Sequence, residues 1–281
     1  MAEIKELEIE LETKSPFRIG SKKLFAGIEQ PIVKIGGRIV VPGTSLKGAL
    51  RQEIESYLIE NFSDEPEMKP CIPASRLSAD EKELVLSNKY RRSSCHYPCK
   101  MRKEKGTERC DRVREGMDYF GIESEKREGK HSICPVCYLL GGQGIPGFIG
   151  VPFLNTETKE EEFSSVRIDR ARRTVAEEGP RSYSVIPEGA KFRGVMQILL
   201  KDGIRGLELG EPRSFKEPTL GDKWLENSNW TQEKIIKELV KERLEAINVL
   251  GGLKSTGAGK VEIRVTEKKS VDRDRHSKGK I

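Results

Sequence analysis

Apolar and polar residues alternate near both ends of this chain, and two stretches between them repeat at helical spacing. Leu7, Ile9 and Leu11 interleave with Glu6, Glu8 and Glu10, which predicts a first strand with one face buried. The turn Gly36-Gly37 leads into a second strand, Arg38-Ile-Val-Val41, which meets the turn-forming pair Pro42-Gly43. Leu46, Ala49, Leu50, Ile54 and Leu58 then recur at the spacing of a buried helix face, to near residue 61. Thr44 or Ser45 is placed to cap that helix. Residues 63–70 form an acidic, proline-containing loop, and no apolar period persists from 71 to 130. Apolar sequence returns at 134–142 and 145–153. Residues 166–181 are charged and read as an extruded hairpin or loop, while 195–200 is a short, nearly all-apolar strand expected to be buried. Thr231 is placed to cap a second long helix with Ile236, Leu239, Val240, Ala246, Ile247 and Leu250 on its buried side, and Gly251-Gly252 is expected to end it. Val261, Ile263 and Val265 alternate as a last strand, followed by a charged tail. The order strand, strand, helix, insertion, strands, helix, strand suits an α+β fold with a split β-α-β, ferredoxin-like sheet.

Composition narrows the class. With 281 residues the chain has room for one elaborated domain or two small ones. Hydrophobic residues are 35% and charged residues 34%, so it reads as soluble, and no apolar run is long enough to span a membrane. Met1-Ala-Glu-Ile-Lys-Glu6 lacks the apolar core of a secretory signal, so a cytoplasmic location is expected. A net charge of +6 fits a nucleic-acid partner, and equally fits the mixed charged surface of a heat-stable protein. Aromatic residues are only 6%, so the sequence advertises no base-stacking platform.

Residues 91–130 hold twelve Lys or Arg against eight Asp or Glu, and such a stretch needs something to staple it. The cysteines offer that staple. Cys134-x-x-Cys137 has metal-ligand spacing, and Cys95-x3-Cys99 with Cys110 forms a second group. Six cysteines in a cytoplasmic chain point to metal ligands first, with disulfide pairing as the rival. The first choice of ligands for a structural zinc is Cys99, Cys110, Cys134 and Cys137. Cys95, His96 and His131 are substitutes, and Cys71 reads as a lone core or loop thiol.

Cations mark four further places. Lys47 and Arg51 share a helix face close to a helix start whose free N–H groups suit a phosphate, with ordinary surface charge as the plain alternative. The stretch 250–261 contains Gly257-x-Gly259, Lys254 and Lys260 but no Walker A pattern. Its order of helix, loop and strand is opposite to a P-loop, so nucleotide hydrolysis is rejected. Arg167, Arg170, Arg172 and Arg173 crowd one charged segment, as a solvated face or as phosphate contacts. Arg18 and Lys22 sit in a turn among small residues at 15–23.

Pro42-Gly-Thr-Ser-Leu-Lys-Gly-x-x-Arg51 resembles the signature of the RAMP superfamily, the repeat-associated proteins of CRISPR systems. Within it the chain is most similar to the backbone subunits of type III RNA-guided effector complexes, with further matches in order from Phe17 to Val265. The resemblance implies one elaborated RRM-like (ferredoxin-like) palm over residues 1–265, with a zinc-stapled insertion at 62–133, a thumb-like hairpin at 160–192 and a tail at 266–281. It implies a ribonucleoprotein complex of antiviral defence. Copies of the chain would line up along a guide RNA beside sister effector subunits and meet a target RNA. The 15–23 turn would lead into a loop along the RNA, and the 251–260 loop would touch the guide. The region Ile168-Asp-Arg170 to Pro187-x-Gly-x-x-Phe192 would form the thumb. Cys134-Pro-Val-Cys-x-Leu resembles the end of the family's Cys/His zinc site, with Leu140 where Phe is usual. Glu29 stands where cleaving members carry an acid, ordinarily Asp, that supports Mg2+- or Mn2+-dependent endonuclease cleavage of target RNA. Glu moves that carboxylate outward by about one C–C bond, and small displacements are costly in catalysis. The rivals are a non-cleaving scaffold of the same family, a stand-alone ribonuclease acting on precursor guide RNA, and a zinc-stapled protein that binds no RNA. The second needs an acid/base set, and the three histidines, His96, His131 and His276, lie far from Glu29 in sequence.

Overall fold

The computed structural model describes residues 2–20, 32–74, 77–91, 94–95, 131–142, 144–165, 171–174, 181–215, 220–226 and 229–268. Three strands open the chain, β1 (Ala2–Thr13), β2 (Lys34–Ile35) and β3 (Arg38–Val41), followed by helix α1 (Gly43–Asn61). Helix α2 (Ala79–Leu86), strand β4 (His131–Ser132) and helix α3 (Pro135–Leu140) come next. Then follow β5 (Ile149–Gly150), β6 (Leu154–Asn155), β7 (Glu161–Ser165), β8 (Arg181–Val185) and the long β9 (Lys191–Asp202). The chain continues through β10 (Leu207–Glu208), β11 (Ser214–Phe215), β12 (Leu220–Gly221) and α4 (Lys223–Glu226). Helix α5 joins three consecutive stretches, Gln232–Lys234, Ile235–Lys241 with π spacing, and Glu242–Ala246, before β13 (Val261–Glu267).

The fold is mixed α+β around a large antiparallel sheet in the order β13-β1-β9-β6-β3-β2, with β5 and β10 also paired to β9. Period-2 patterning sets its register. Leu7, Ile9 and Leu11 stand opposite Met196, Gly194 and Phe192 on one side, and Ile9 and Leu11 stand opposite Val265 and Ile263 on the other. These side chains share the face turned to the core, where Leu7, Leu11, Phe192 and Met196 are fully buried. A one-residue slip would turn all of them outward, so burial of one face pins the register. The other face carries Glu8, Glu10, Arg193 and Arg264. β9 therefore differs from the expected buried apolar strand. Met196 and Ile198 are buried, but Val195 and Leu199 are half-buried and Gln197 is exposed, because the helices cover one face of the sheet.

Leu46, Leu50, Ile54 and Leu58 of α1 are fully buried, in keeping with their spacing. Helix α5 packs against α1 and β13, and α1 also meets α3. Thr231 caps α5, its hydroxyl accepting a hydrogen bond from the Lys234 N–H at 3.3 Å. α5 stops at Ala246, earlier than expected. Ile247 is already extended and Val249 bridges to Lys260, so Gly251-Gly252 lies in the following loop and does not end the helix.

In the insertion, α2 is a helix that the apolar pattern missed. Its sequence mark is a capping box, in which the Glu81 N–H donates to Ser78 Oγ and the Ser78 N–H donates to the Glu81 carboxylate. It buries little beyond Val85, which packs with Ile72 and Leu77. β7 and β8 form a separate hairpin with Phe163 opposite Tyr183. An extruded hairpin or loop was expected at 166–181; β7 ends just before that range and β8 begins at its last residue.

Candidate functional site

Three segments distant in sequence meet beside the start of α1. The 251–260 loop is tied to the chain after β1. The Gly252 N–H donates to the Arg18 carbonyl at 2.8 Å, the Gly259 N–H to the Pro16 carbonyl at 2.9 Å, and the Lys260 N–H to Ser15 Oγ at 2.9 Å. Gly251 has φ +89°, and a Cβ there would lie 2.4 Å from the Arg18 carbonyl oxygen. Glycine is required at that position for close backbone approach, not to end a helix. Between this loop and α1 lies a cleft of about 380 Å³, lined by Thr44, Ser45, Gly48, Gln52, Gly252 and Lys254 among others. Gly43 sets the helix against the sheet: a Cβ there would lie 2.7 Å from the Val151 carbonyl oxygen.

Pro42, not Thr44 or Ser45, occupies the cap position of α1, and no side chain caps the helix. The first turn contains no acid. The Pro42 carbonyl takes up the Ser45 and Leu46 N–H groups, and the turn presents two hydroxyls at the positive end of a 19-residue helix. Glu53 is the acid among the lining residues, and burial pushes its carboxyl up, against the opposing charge of Arg243.

An adjoining face of α1, further along the helix, looks onto a second site. Cys71, Cys95, Cys134 and Cys137 are buried, with their four sulfurs within 4.8 Å of one another. Cys71 Sγ lies 3.5 Å from Cys137 Sγ and 3.8 Å from Cys134 Sγ. A tetrahedral ion with metal–sulfur bonds of about 2.3 Å separates its sulfurs by about 3.8 Å, so four sulfurs this close could hold a metal such as zinc. Each sulfur has a donor aimed at it. The Cys95 N–H donates to Cys71 Sγ at 3.4 Å, the Cys134 N–H to Cys95 Sγ at 3.3 Å and the Cys137 N–H to Cys134 Sγ at 3.4 Å. The fourth sulfur, Cys137, receives Nη1 and Nη2 of Arg51, each at 4.0 Å.

The route of the chain brings these ligands together. Pro135 starts α3 directly after Cys134, which places Cys134 and Cys137 on one helical turn. Arg91 clamps the Cys71 strand to the Cys134 strand by donating to the carbonyls of Lys69, Glu67 and Ser132 at 2.8, 2.9 and 2.5 Å. Burial opposes the charge of both arginines, but the sulfurs outweigh it and push their pKa values up, Cys137 first for Arg51 and Cys95 first for Arg91. Burial also works to raise the Cys134 thiol. Contacts from Cys137, Cys71 and Cys95 and the charge of Arg91 overcome it, so Cys134 is held well below the usual thiol range. Cys71 is pushed up, mainly by contact with Cys134, and Cys95 is pushed up by burial.

A family model for the RAMP superfamily matches residues 10–262. The chain belongs to the RAMP superfamily. No curated protein matches it. Among solved structures, a chain from one titled "Type IV-B CRISPR Complex" is similar over 98% of this chain and 93% of that one, at 13% identity and a TM-score of 0.45. That likeness is too slight to add to the family assignment.

Within this RAMP chain the expected site residues separate into groups. Lys254 lines the cleft, and Lys260 borders the same loop. Lys47 and Arg51 share a face as expected, but that face turns toward the cysteines. Lys47 is half-buried, and its pKa is lowered by burial and then by the nearby charge of Arg51. Arg51 also pairs with Glu55 at 3.4 Å and donates to the Gly141 carbonyl at 3.4 Å. Arg18 is only 8% exposed, and its guanidinium carbon lies 5.9 Å from the Tyr183 ring centre. Arg172 and Arg173 are exposed. Glu29, Lys22, Arg167, Arg170, Cys99, Cys110 and His96 lie outside the described residues, and His131 opens β4.

Cys71 corrects the sequence reading. It is not a lone thiol but one of four buried, clustered sulfurs, with Cys95, Cys134 and Cys137. Nothing local marks it, since Pro70 precedes Cys71 as Pro98 precedes Cys99. Arg51 was singled out for phosphate, and its place beside Cys137 was equally unmarked.

Proposed function

We propose that this chain is a guide-RNA-binding backbone subunit of a CRISPR effector complex of the type III kind, acting in antiviral defence in the cytoplasm. The observation that carries this is the convergence of the α1 signature and the glycine-rich loop on one cleft, in a RAMP superfamily chain. The positive end of α1, the hydroxyls of Thr44 and Ser45, and Lys254 would hold guide phosphates there. The exposed Arg172 and Arg173 would extend the contact. The sheet order β13-β1-β9, with β5 and β6 on the far side of β9, supports reading residues 1–265 as a single RRM-like palm. The insertion at 62–133 and the thumb-like hairpin at 160–192 elaborate it. Sister subunits, further copies of the chain and a target RNA would be its partners. Among the described residues no helix is long and apolar enough to cross a membrane.

Zinc is the ion proposed for the cysteine centre, with Cys71, Cys95, Cys134 and Cys137 as ligands. With four protein ligands it would be structural, its binding energy replacing core that the insertion lacks. Cleavage is a separate question resting on Glu29, whose carboxylate would hold Mg2+ or Mn2+ at the target strand.

The test is binding of guide RNA across a salt series, followed by incubation of the guide-loaded assembly with complementary RNA and Mg2+ or Mn2+. Salt-dependent binding that Lys254→Ala weakens supports the cleft. Binding with no salt dependence sinks it. Regularly spaced products that disappear in Glu29→Ala make the chain a nuclease. Target bound but uncut leaves it a scaffold.

A further inference from the structure

Three of the four clustered sulfurs receive a backbone N–H, and the fourth, Cys137, receives a side chain. We propose that Arg51 belongs to the metal centre as its fourth sulfur donor, so that the RAMP signature helix is fastened to that centre through its own arginine. This rests on the reading of the cysteines as a metal site. Arg51 is then a positioning residue for Cys137, not a phosphate contact.

The surroundings of Arg51 support the assignment. Its side chain is 19% exposed, and every partner it has points inward: Cys137 at 4.0 Å, the Gly141 carbonyl at 3.4 Å and Glu55 at 3.4 Å. Glu55 is itself held by the Tyr90 hydroxyl, which donates to it at 3.1 Å, so the guanidinium has little freedom to swing out. Gly141 lies just past α3, and Arg51 thus ties the helix carrying Cys137 to α1 at two points. Charge agrees with geometry. Four thiolates around a divalent ion leave two negative charges in a buried place, and such charge needs partners. Arg51 and Arg91 are two cations beside the sulfurs, Arg51 on Cys137 and Arg91 on the carbonyls of the flanking segments. Groups that donate to ligand atoms commonly alter metal affinity by about 10–100-fold.

The geometry has a consequence for the cleft. α1 presents Thr44, Ser45, Gly48 and Gln52 to the cleft and Lys47, Arg51 and Glu55 to the sulfurs. Loosening the Arg51 contact would loosen the helix whose first turn faces the proposed RNA.

The test uses the full-length protein loaded with Co2+ or Zn2+, as wild type, Arg51→Met and Arg51→Lys. Methionine keeps the bulk and removes the donors; lysine keeps one charge and guards against a variant that fails to fold. In Arg51→Met, metal affinity measured against a chromogenic chelator should fall about 10–100-fold. The cobalt–thiolate charge-transfer band should also move to longer wavelength, because a sulfur without its donor gives up electron density more easily. Arg51→Lys should recover part of both. An unchanged band and affinity in Arg51→Met, with the salt slope of RNA binding reduced, would overturn the proposal and return Arg51 to the phosphates. Wild-type protein that takes up no Co2+ in a tetrahedral thiolate site would overturn the metal reading itself, seen before any variant is compared.

Discussion

Two charged surfaces of this molecule, the outer face of the sheet and the cleft at the start of α1, use similar residues to opposite effect. On the sheet, cations meet acids along and across neighbouring strands. Glu10 lies 2.8 Å from Arg193 and 3.5 Å from Lys191, Lys14 reaches Glu12 at 2.6 Å and Glu262 at 2.9 Å, and Arg264 reaches Glu262 at 2.6 Å. The hydrogen bond from Arg193 holds the Glu10 carboxyl below its usual range, and the one to Glu12 holds the Lys14 amine above its own. Charge is paired there. In the cleft the first turn of α1 has no acid, Lys254 has no ion-pair partner among the described residues, and burial disfavours charge on Glu53. The net charge of +6 says nothing of this difference. What attracts a polyanion is cation and amide density left uncancelled, and pairing decides where that is. Under the proposed function, guide RNA would meet the helix-and-loop side of this sheet, not its open strands.

The largest test of that contrast goes beneath the cleft. Cys134→Ser should abolish metal uptake and the cooperative thermal transition, since a structural metal can contribute as much as the whole stability of about 5–15 kcal/mol of a domain. Wild type treated with a strong chelator should lose the same transition, and a transition that survives both would detach the cysteines from the fold. Next comes the buried pair Arg213–Asp222, 2.8 Å apart beneath the Tyr138 ring. Asp222→Ala removes the carboxylate facing a buried guanidinium and should cost about 3–5 kcal/mol in denaturant unfolding. Glu10→Ala on the open face should cost under about 1 kcal/mol. Equal costs would mean the open face is not the solvated surface described. Gly251→Ala forces a Cβ toward the Arg18 carbonyl oxygen at a positive φ and should cost about 1–3 kcal/mol. It should also weaken RNA binding, while Gly37→Ala, at a positive φ in an open turn, should leave RNA binding unchanged. The smallest effect sharpens the comparison most. Lys254→Ala should reduce the slope of log affinity against log salt by about 0.7, the value for one phosphate contact on a single strand, and Arg193→Ala should not.

Legibility in the sequence followed the range of the interaction. The alternation at Leu7, Ile9 and Leu11 and the helical spacing from Leu46 to Leu58 were readable because burial on one face imposes a period on nearby residues. The Thr231 cap was readable because its partner is three residues away. The α1 cap was misread, since Pro42 takes the position and leaves Thr44 and Ser45 facing the cleft. Helix α2 was overlooked because it buries little, although its capping box stood in the sequence. Cys134 and Cys137 were found by their spacing, while Cys71 was set aside because nothing near it marks a ligand.

By itself, then, the sequence determined the alternating strands, both long helices, the cysteine knuckle and the family signature, each a pattern carried by residues within a few turns of one another. Only the tertiary structure decided that Cys71 joins the sulfur cluster, that Gly251 packs on Arg18, and that Lys47 and Arg51 face the sulfurs while Thr44 and Ser45 face the cleft. The physical reason is common to all three. A helix has two sides of comparable polarity here, and which one meets the insertion and which meets the C-terminal loop is set by packing between segments up to some two hundred residues apart, which leaves no periodic trace in the sequence of either.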